Sequence, residues 1–329
     1  MKSPMINPHN YVGPPRNPKT IGIIGGEGQM GRMFAREFRK EGYRVRVTGE
    51  EAARRASRNP KNPNEVNRTL RRLNEAVVQE AEVIIIAVPI KVLSLGVKKL
   101  LGSRGCRGMR GKLVLDISST KEEPLAALGK LRGPSIIGMH PMFGPGLRSL
   151  TGKNVVLTPT LQPSAQGKTV MLKRLENWRS WVGDFWKKRG VNIVSLSAAG
   201  HDRVVPCLQF LVLNSVMCYG RALESSQVDL KILTKLATPN SSLVAATMGR
   251  MLSPNMIDTY VNLTFENEAN IEAADAFEEA ASSIADLVRR GDREAFESLL
   301  QSCSEFMSGE VGDELRNEAA TIHELLATR

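Results

Sequence analysis

Cysteine is scarce in this chain. Its four cysteines (Cys106, Cys207, Cys218 and Cys303) are widely separated among 329 residues and show no CxxC or Cys/His spacing. That argues against a disulfide-stapled scaffold and a zinc module, and no metal site is expected. Thiols used so sparingly read as small buried hydrophobes in a reducing compartment, so the expected location is the cytoplasm. Long apolar runs are missing too: the longest, Val83 to Val88, is far too short to span a bilayer. Met1 to Thr20 holds five prolines and three asparagines but no apolar stretch. It reads as a flexible tail, not a signal peptide, and no membrane partner is expected. The net charge is +11, yet the basic residues are scattered, with no aromatic-rich RNA motif among them. Arg68, Arg71 and Arg72 cluster on what reads as a solvated helix face. Nucleic acid is therefore not an expected partner. The basic charge suits an anionic cofactor and an anionic substrate instead.

What the chain does have is a 42% apolar content, enough for a sizeable core, and a length that suggests two domains. Thr20 to Gly25 (TIGIIG) is β-branched, apolar and runs into glycines, as a buried parallel strand does. Met30, Met33, Phe34 and Phe38 follow at helical spacing, and Tyr43 to Thr48 then alternates like a second strand. Glu50 to Asn64 is polar and reads as a helix fragment and loop. Further strands are expected at Ala81–Pro89, Leu113–Ser118, Ser135–Met139, Val155–Thr158 and Val191–Leu196, with helices at Val92–Leu101, Pro124–Leu131 and Leu172–Lys188 between them. This alternation predicts an α/β fold, a Rossmann-type doubly wound sheet. From His201 the signal is helical throughout. The stripe Val204, Leu208, Leu211, Ser215, Tyr219 and Leu223, widened by Val212 and Val216, predicts a helix buried on more than one side. The expected organisation is a tail over 1–19, a dinucleotide-binding domain over 20–197 and an all-α substrate-binding and dimerisation domain over 198–329.

Gly26-Glu27-Gly28-Gln29-Met30-Gly31 is GxGxxG set between a strand and a helix, the context in which the motif is informative. Gly26 would allow the tight turn, Gly28 the approach of a pyrophosphate, and Gly31 close packing of helix on strand. The cofactor-binding candidates are Gly26, Gly28, Gln29, Met30 and Gly31, with Thr48 ending the second strand and Val88 and Pro89 ending the next. An NAD site usually has an acid at the end of the second strand. Here that position is Gly49, with Glu50 and Glu51 beyond it and Arg54 and Arg55 close by, so NAD and NADP both stay open.

His140 ends a strand before a Pro/Gly-rich turn, where a histidine can act as acceptor or base near neutral pH. GGEGQMG, IIIAVP, LDISSTKEEPL, GMHPMFGPG and, near the C-terminus, GDREAF stand in an order and spacing that resemble the prephenate dehydrogenase family. HPMFGP is the most specific of them. The resemblance covers the dehydrogenase portion alone, with no fused chorismate mutase or regulatory domain expected. It implies oxidative decarboxylation of prephenate to 4-hydroxyphenylpyruvate, on the route to tyrosine, with hydride passing to NAD(P)+.

In that family the motif histidine accepts a hydrogen bond from the ring hydroxyl. His140 matches it, and Ser119, 21 residues earlier, matches a serine that holds the same hydroxyl. Ser118-Ser119-Thr120 also reads as a helix N-cap. The resemblance further implies that Arg250, of the pair Gly249-Arg250, binds the ring carboxylate, a task its planar fork suits. An exposed helix arginine is the plainer reading. Gln209 and Lys121 are further substrate-binding candidates. For His201 and Asp202, a helix-start role and a catalytic one both stay open.

Two positions depart from the family pattern. Leu213 stands where many members have a histidine, and Ser242 where some have a second arginine. The pocket facing the substrate side chain is therefore expected to differ. That keeps arogenate dehydrogenase, 4-amino-4-deoxyprephenate dehydrogenase and a non-catalytic dinucleotide-binding protein in play. A β-hydroxyacid or imine reductase on the same plan would leave HPMFGP unexplained. The broad apolar face of Val204 to Leu223 and the resemblance both predict a homodimer built on the helical domain.

Overall fold

The computed structural model describes residues 18–160 and 168–327, so most of the expected N-terminal tail lies outside the described residues. Seven strands form one sheet: β1 (Thr20–Ile24), β2 (Arg44–Thr48), β3 (Val83–Ile86), β4 (Leu113–Asp116), β5 (Ser135–Pro141), β6 (Asn154–Thr160) and β7 (Asn192–Ser195). Their order is β2-β1-β3-β4-β5-β6-β7. All neighbours pair in parallel except β5 and β6, which run antiparallel. Helices α1 (Gln29–Lys40), α2 (Glu50–Ala56), α3 (Pro63–Glu80), α4 (Ile90–Ser94), α5 (Val97–Arg107), α6 (Glu122–Leu128), α7 (Lys168–Lys187) and α8 (Ala198–Val205) flank or follow the strands. The helix expected across Val92–Leu101 is broken into α4 and α5 at Gly96, whose φ of 114° is open to glycine and strained for other residues.

β1, β3, β4 and β5 carry apolar residues on both faces because both faces are covered. On one face Ile21, Ile23, Ile85, Leu115 and Ile137 pack against Phe34 and Phe38 of α1 and Trp178, Phe185 and Trp186 of α7. On the other, Ile24, Ile84, Val114 and Ile136 pack against Val77 of α3, Leu100 and Leu101 of α5 and Leu125 of α6.

The chain divides into two compact units between Arg203 and Val204. The division falls beyond Ser197 because His201 and Asp202 on α8 bond to β5 and to the start of α6. The second unit holds α9 (Leu211–Ser226), α10 (Leu230–Lys235), α11 (Pro239–Met251), α12 (Ile257–Phe265), α13 (Ala269–Arg290), α14 (Arg293–Phe306) and α15 (Glu310–Ala327). A π-helical turn, Pro206–Phe210, leads into α9.

The structure corrects the stripe expected on this helix. Val205, Phe210, Leu213 and Val216 are buried, whereas Val204, Leu208 and Val212 are exposed. The helical run Ala198–Ser226 is long and apolar enough, by length and composition, to cross a membrane. It also carries the hydrogen-bonded His201 and Asp202 and the exposed Arg221–Glu224 ion pair, charges that a membrane-spanning segment rarely holds.

Candidate active site

The glycine loop leaves the carboxyl end of β1, the edge of a doubly wound sheet at which ligands bind. The tight turn is made by Gly25, at φ 78°, and not by Gly26 as the sequence suggested. Gly26 is held to β2 by its amide, which donates to the Thr48 carbonyl at 2.9 Å. A Cβ there would press into Val47 and Ile23. A Cβ on Gly31 would strike the Gly26 backbone, so α1 sits tight against the loop. At Gly28 an added Cβ would meet only the Gly25 carbonyl, at 3.5 Å, so the backbone there is open to close approach.

Gly28 caps α1 without any side-chain bond, and no acid stands in the first turn, which contains Gln29 and Met30. These amides are what a pyrophosphate needs, so the loop fits a dinucleotide. Val88 is half-buried and Pro89 exposed after β3. Thr48 is placed differently from the expectation: it is buried and its hydroxyl donates to Asn74 Oδ1 at 2.6 Å, so that group serves the core.

His140 lies near the carboxyl end of β5, parallel to β4 and on the same sheet edge as the glycine loop. It is buried, and its Nδ1 lies 2.9 Å from Nε2 of His201. Nδ1 of His201 is in turn 2.6 Å from Asp202 Oδ1. A neutral His201 that donates Nδ1–H to Asp202 has only a lone pair at Nε2. His140 must then donate its own Nδ1–H to that lone pair, which leaves His140 Nε2 as an acceptor. Burial pushes the His140 pKa well below 6.5, and the charge on Lys121 pushes it the same way. The ring is therefore neutral at pH 7.

Asp202 does more than orient His201. Its carboxylate also accepts the amide hydrogens of Lys121, at 2.8 Å, and Glu122, at 2.8 Å, and so caps α6. One side chain thus fixes both the histidine pair and the loop after β4. Sequence reasoning left this pair open, because the partner of His201 is 61 residues away and nothing local marks it.

Ser119 sits half-buried on that loop. Lys121 does not stand where a substrate contact needs it. Its ammonium is fully buried and ion-paired with Asp116, and Ser118 Oγ accepts from it at 3.4 Å. Its chain crosses Gly138 of β5, where a Cβ would collide with Lys121 Cδ and Thr158 Oγ1. Lys121 thus stabilises the loop from within.

Two other candidates belong to the second unit. Gln209 lies in the π turn, half-buried, with Oε1 buried and without a hydrogen-bond partner among the described residues. Arg250 is exposed at the end of α11, and its neighbour Gly249 lines a pocket of about 540 Å³ together with Met217, Leu223, Val228 and Leu252. Of the departures from the family pattern, Leu213 is buried in that unit and Ser242 half-buried.

Residues 34–193 match the family model described as prephenate dehydrogenase, nucleotide-binding domain. That segment, just under half of the chain, is similar to the nucleotide-binding domain of the prephenate dehydrogenase family. The chain is 29% identical, over 89% of its length, to a probable arogenate/prephenate dehydrogenase of Methanocaldococcus jannaschii, 62% of which is covered. The chain thus spans under two thirds of that relative. A 4-amino-4-deoxyprephenate dehydrogenase of Streptomyces pristinaespiralis is 26% identical, with 91% of this chain and 94% of the relative covered. The fold is that of prephenate dehydrogenase from Aquifex aeolicus, solved with hydroxyphenyl propionate and NAD+. The TM-score is 0.57 at 20% identity, covering 88% of this chain and 97% of that one.

Proposed function

We propose that the protein is a prephenate dehydrogenase that converts prephenate and NAD(P)+ to 4-hydroxyphenylpyruvate, CO2 and NAD(P)H. The observation that carries this reading is the Asp202–His201–His140 chain, which leaves a neutral acceptor nitrogen on the motif histidine. The loop from Gly25 to Gly31 holds the dinucleotide, whose nicotinamide accepts a hydride when bound. His140 Nε2 accepts the hydrogen bond of the ring hydroxyl, which grows acidic as hydride leaves the carbon that bears it. The C–C bond to the ring carboxylate then breaks, its electron pair enters the ring, and the proton returns to the phenolic oxygen. Ser119 holds the same hydroxyl; Arg250, in the second unit, keeps the planar fork that suits a carboxylate.

The test is the absorbance of reduced nicotinamide, with prephenate and arogenate each offered with NAD+ and NADP+. Turnover with prephenate is expected. Turnover with arogenate alone would replace this reading by arogenate dehydrogenase. Failure with both would move the weight to the amino-deoxy analogue or to a non-catalytic role, with Leu213 and Ser242 the residues to change first.

The helical unit is proposed to form a homodimer. Val204, Leu208 and Val212, together with Phe265, Val288 and Phe306, are large, apolar and exposed in the single chain. Apolar surface on this scale calls for a partner, and a second copy of the chain is the simplest one. Sedimentation at micromolar concentration is expected to give a dimer; a monomer would refute it. The proposed location is the cytoplasm.

A further inference from the structure

Gly49, at the end of β2, poses a question of its own. Its φ of −175° is open to any residue, so the backbone does not require glycine there. Space does: a Cβ on Gly49 would lie inside contact distance of the Glu27 carboxylate. Glu27 is the second residue of the glycine motif, and its side chain reaches across to the end of β2. Its Oε2 accepts the Glu51 amide at 2.8 Å and its Oε1 the Ala52 amide at 2.8 Å. Arg55 stands beside it, 3.4 Å from Oε1.

From this geometry we infer that Glu27 supplies the acid missing from the end of β2, and that it makes the site select NAD+ over NADP+. The carboxylate fills the place that an aspartate or glutamate at position 49 would fill, delivered from the glycine loop instead. Oε1 also accepts from Arg55, but Oε2 keeps a lone pair after accepting one amide hydrogen, and the side chain remains 19% exposed. It can therefore accept a hydroxyl of an adenine ribose, as a strand-end acid does. A 2′-phosphate there would meet a fixed negative charge. The nearby arginines do not reverse this, because Arg54 pairs with Glu50, and Arg55 with Glu51 as well as Glu27.

The inference rests on dinucleotide binding, not on which cyclohexadiene acid is oxidised. Calorimetric titration of the full chain with NAD+ and with NADP+, without substrate, tests it separately from the proposed reaction. NAD+ is expected to bind at least about tenfold more tightly, roughly what one unfavourable charge pair near a surface is worth. Glu27→Gln, close in size and uncharged, should narrow that ratio by tightening NADP+ and weakening NAD+, with the circular dichroism spectrum unchanged. Arg55→Ala should keep the preference for NAD+. Equal or tighter binding of NADP+ by the unaltered protein would overturn the inference. So would a ratio unmoved by Glu27→Gln, or a loss of dinucleotide selectivity in Arg55→Ala.

Discussion

His140→Asn is expected to lower kcat by about 10²- to 10⁴-fold, the usual range for a positioned acid–base group, while the Kd for dinucleotide stays unchanged. The substitution keeps a polar side chain of similar reach on β5. It removes the acceptor nitrogen whose tautomer the Asp202–His201 chain fixes. It does not touch the glycine loop, which is why binding and turnover should separate. A variant whose kcat stays within a few-fold of the starting protein would show that the histidine is structural.

The pH profile gives a second reading of the same residue. Because burial and the Lys121 charge lower its pKa, the acid limb of kcat/KM should fall below pH 6.5, not at it. The same shift makes protonation destabilising. An unfolded chain takes up this proton near pH 6.5, whereas the fold takes it up only well below that. The stability contributed by the neutral ring is thus complete above about pH 6.5 and is lost as the pH falls through the lower, folded-state value. His140→Asn should remove that dependence together with the activity.

The α/β class was legible because the strands are short β-branched runs bounded by glycines and the helices between them keep a regular apolar spacing. The antiparallel direction of β6 was not, since Val155 to Thr158 reads the same whichever way its neighbour runs. The glycine loop was located but its turn was assigned one residue late. Positive φ cannot be divided between two adjacent glycines by pattern alone, and it is the Gly26–Thr48 bond that settles it.

Sequence spacing singled out His140 but not what orients it. The partners come from a helix that starts beyond the sheet, and Asp202 acts on the amides of a different helix from its own. Lys121 was misread for a related reason. A lysine beside a loop serine suggests an anion contact, and only the position of Asp116 and the bare Cα of Gly138 show that the ammonium turns inward.

That buried ion pair leads to the second large effect. Lys121→Met is expected to destabilise the first unit by about 3–5 kcal/mol, because it leaves the Asp116 carboxylate buried without its counter-charge. The three tryptophans of the chain, Trp178, Trp181 and Trp186, all stand on α7 in the first unit, so tryptophan fluorescence in a urea titration reports that unit's unfolding directly. Removing both charges in Asp116→Asn/Lys121→Met should restore most of the loss, since a neutral pair no longer carries an uncompensated charge. A loss below about 1 kcal/mol in the single variant would instead mean that water reaches Asp116 once the lysine is gone. The pair also bears on the chemistry, because the Lys121 charge helps to hold the His140 pKa down. In Lys121→Met the acid limb of kcat/KM should therefore move to higher pH. The double variant should keep that displacement while regaining stability, because the ammonium is still absent. Stability and the pH limb would then separate in one set of proteins. That would identify Lys121 as a positioning residue that acts on His140 through its charge and on the loop through Asp116, without touching substrate.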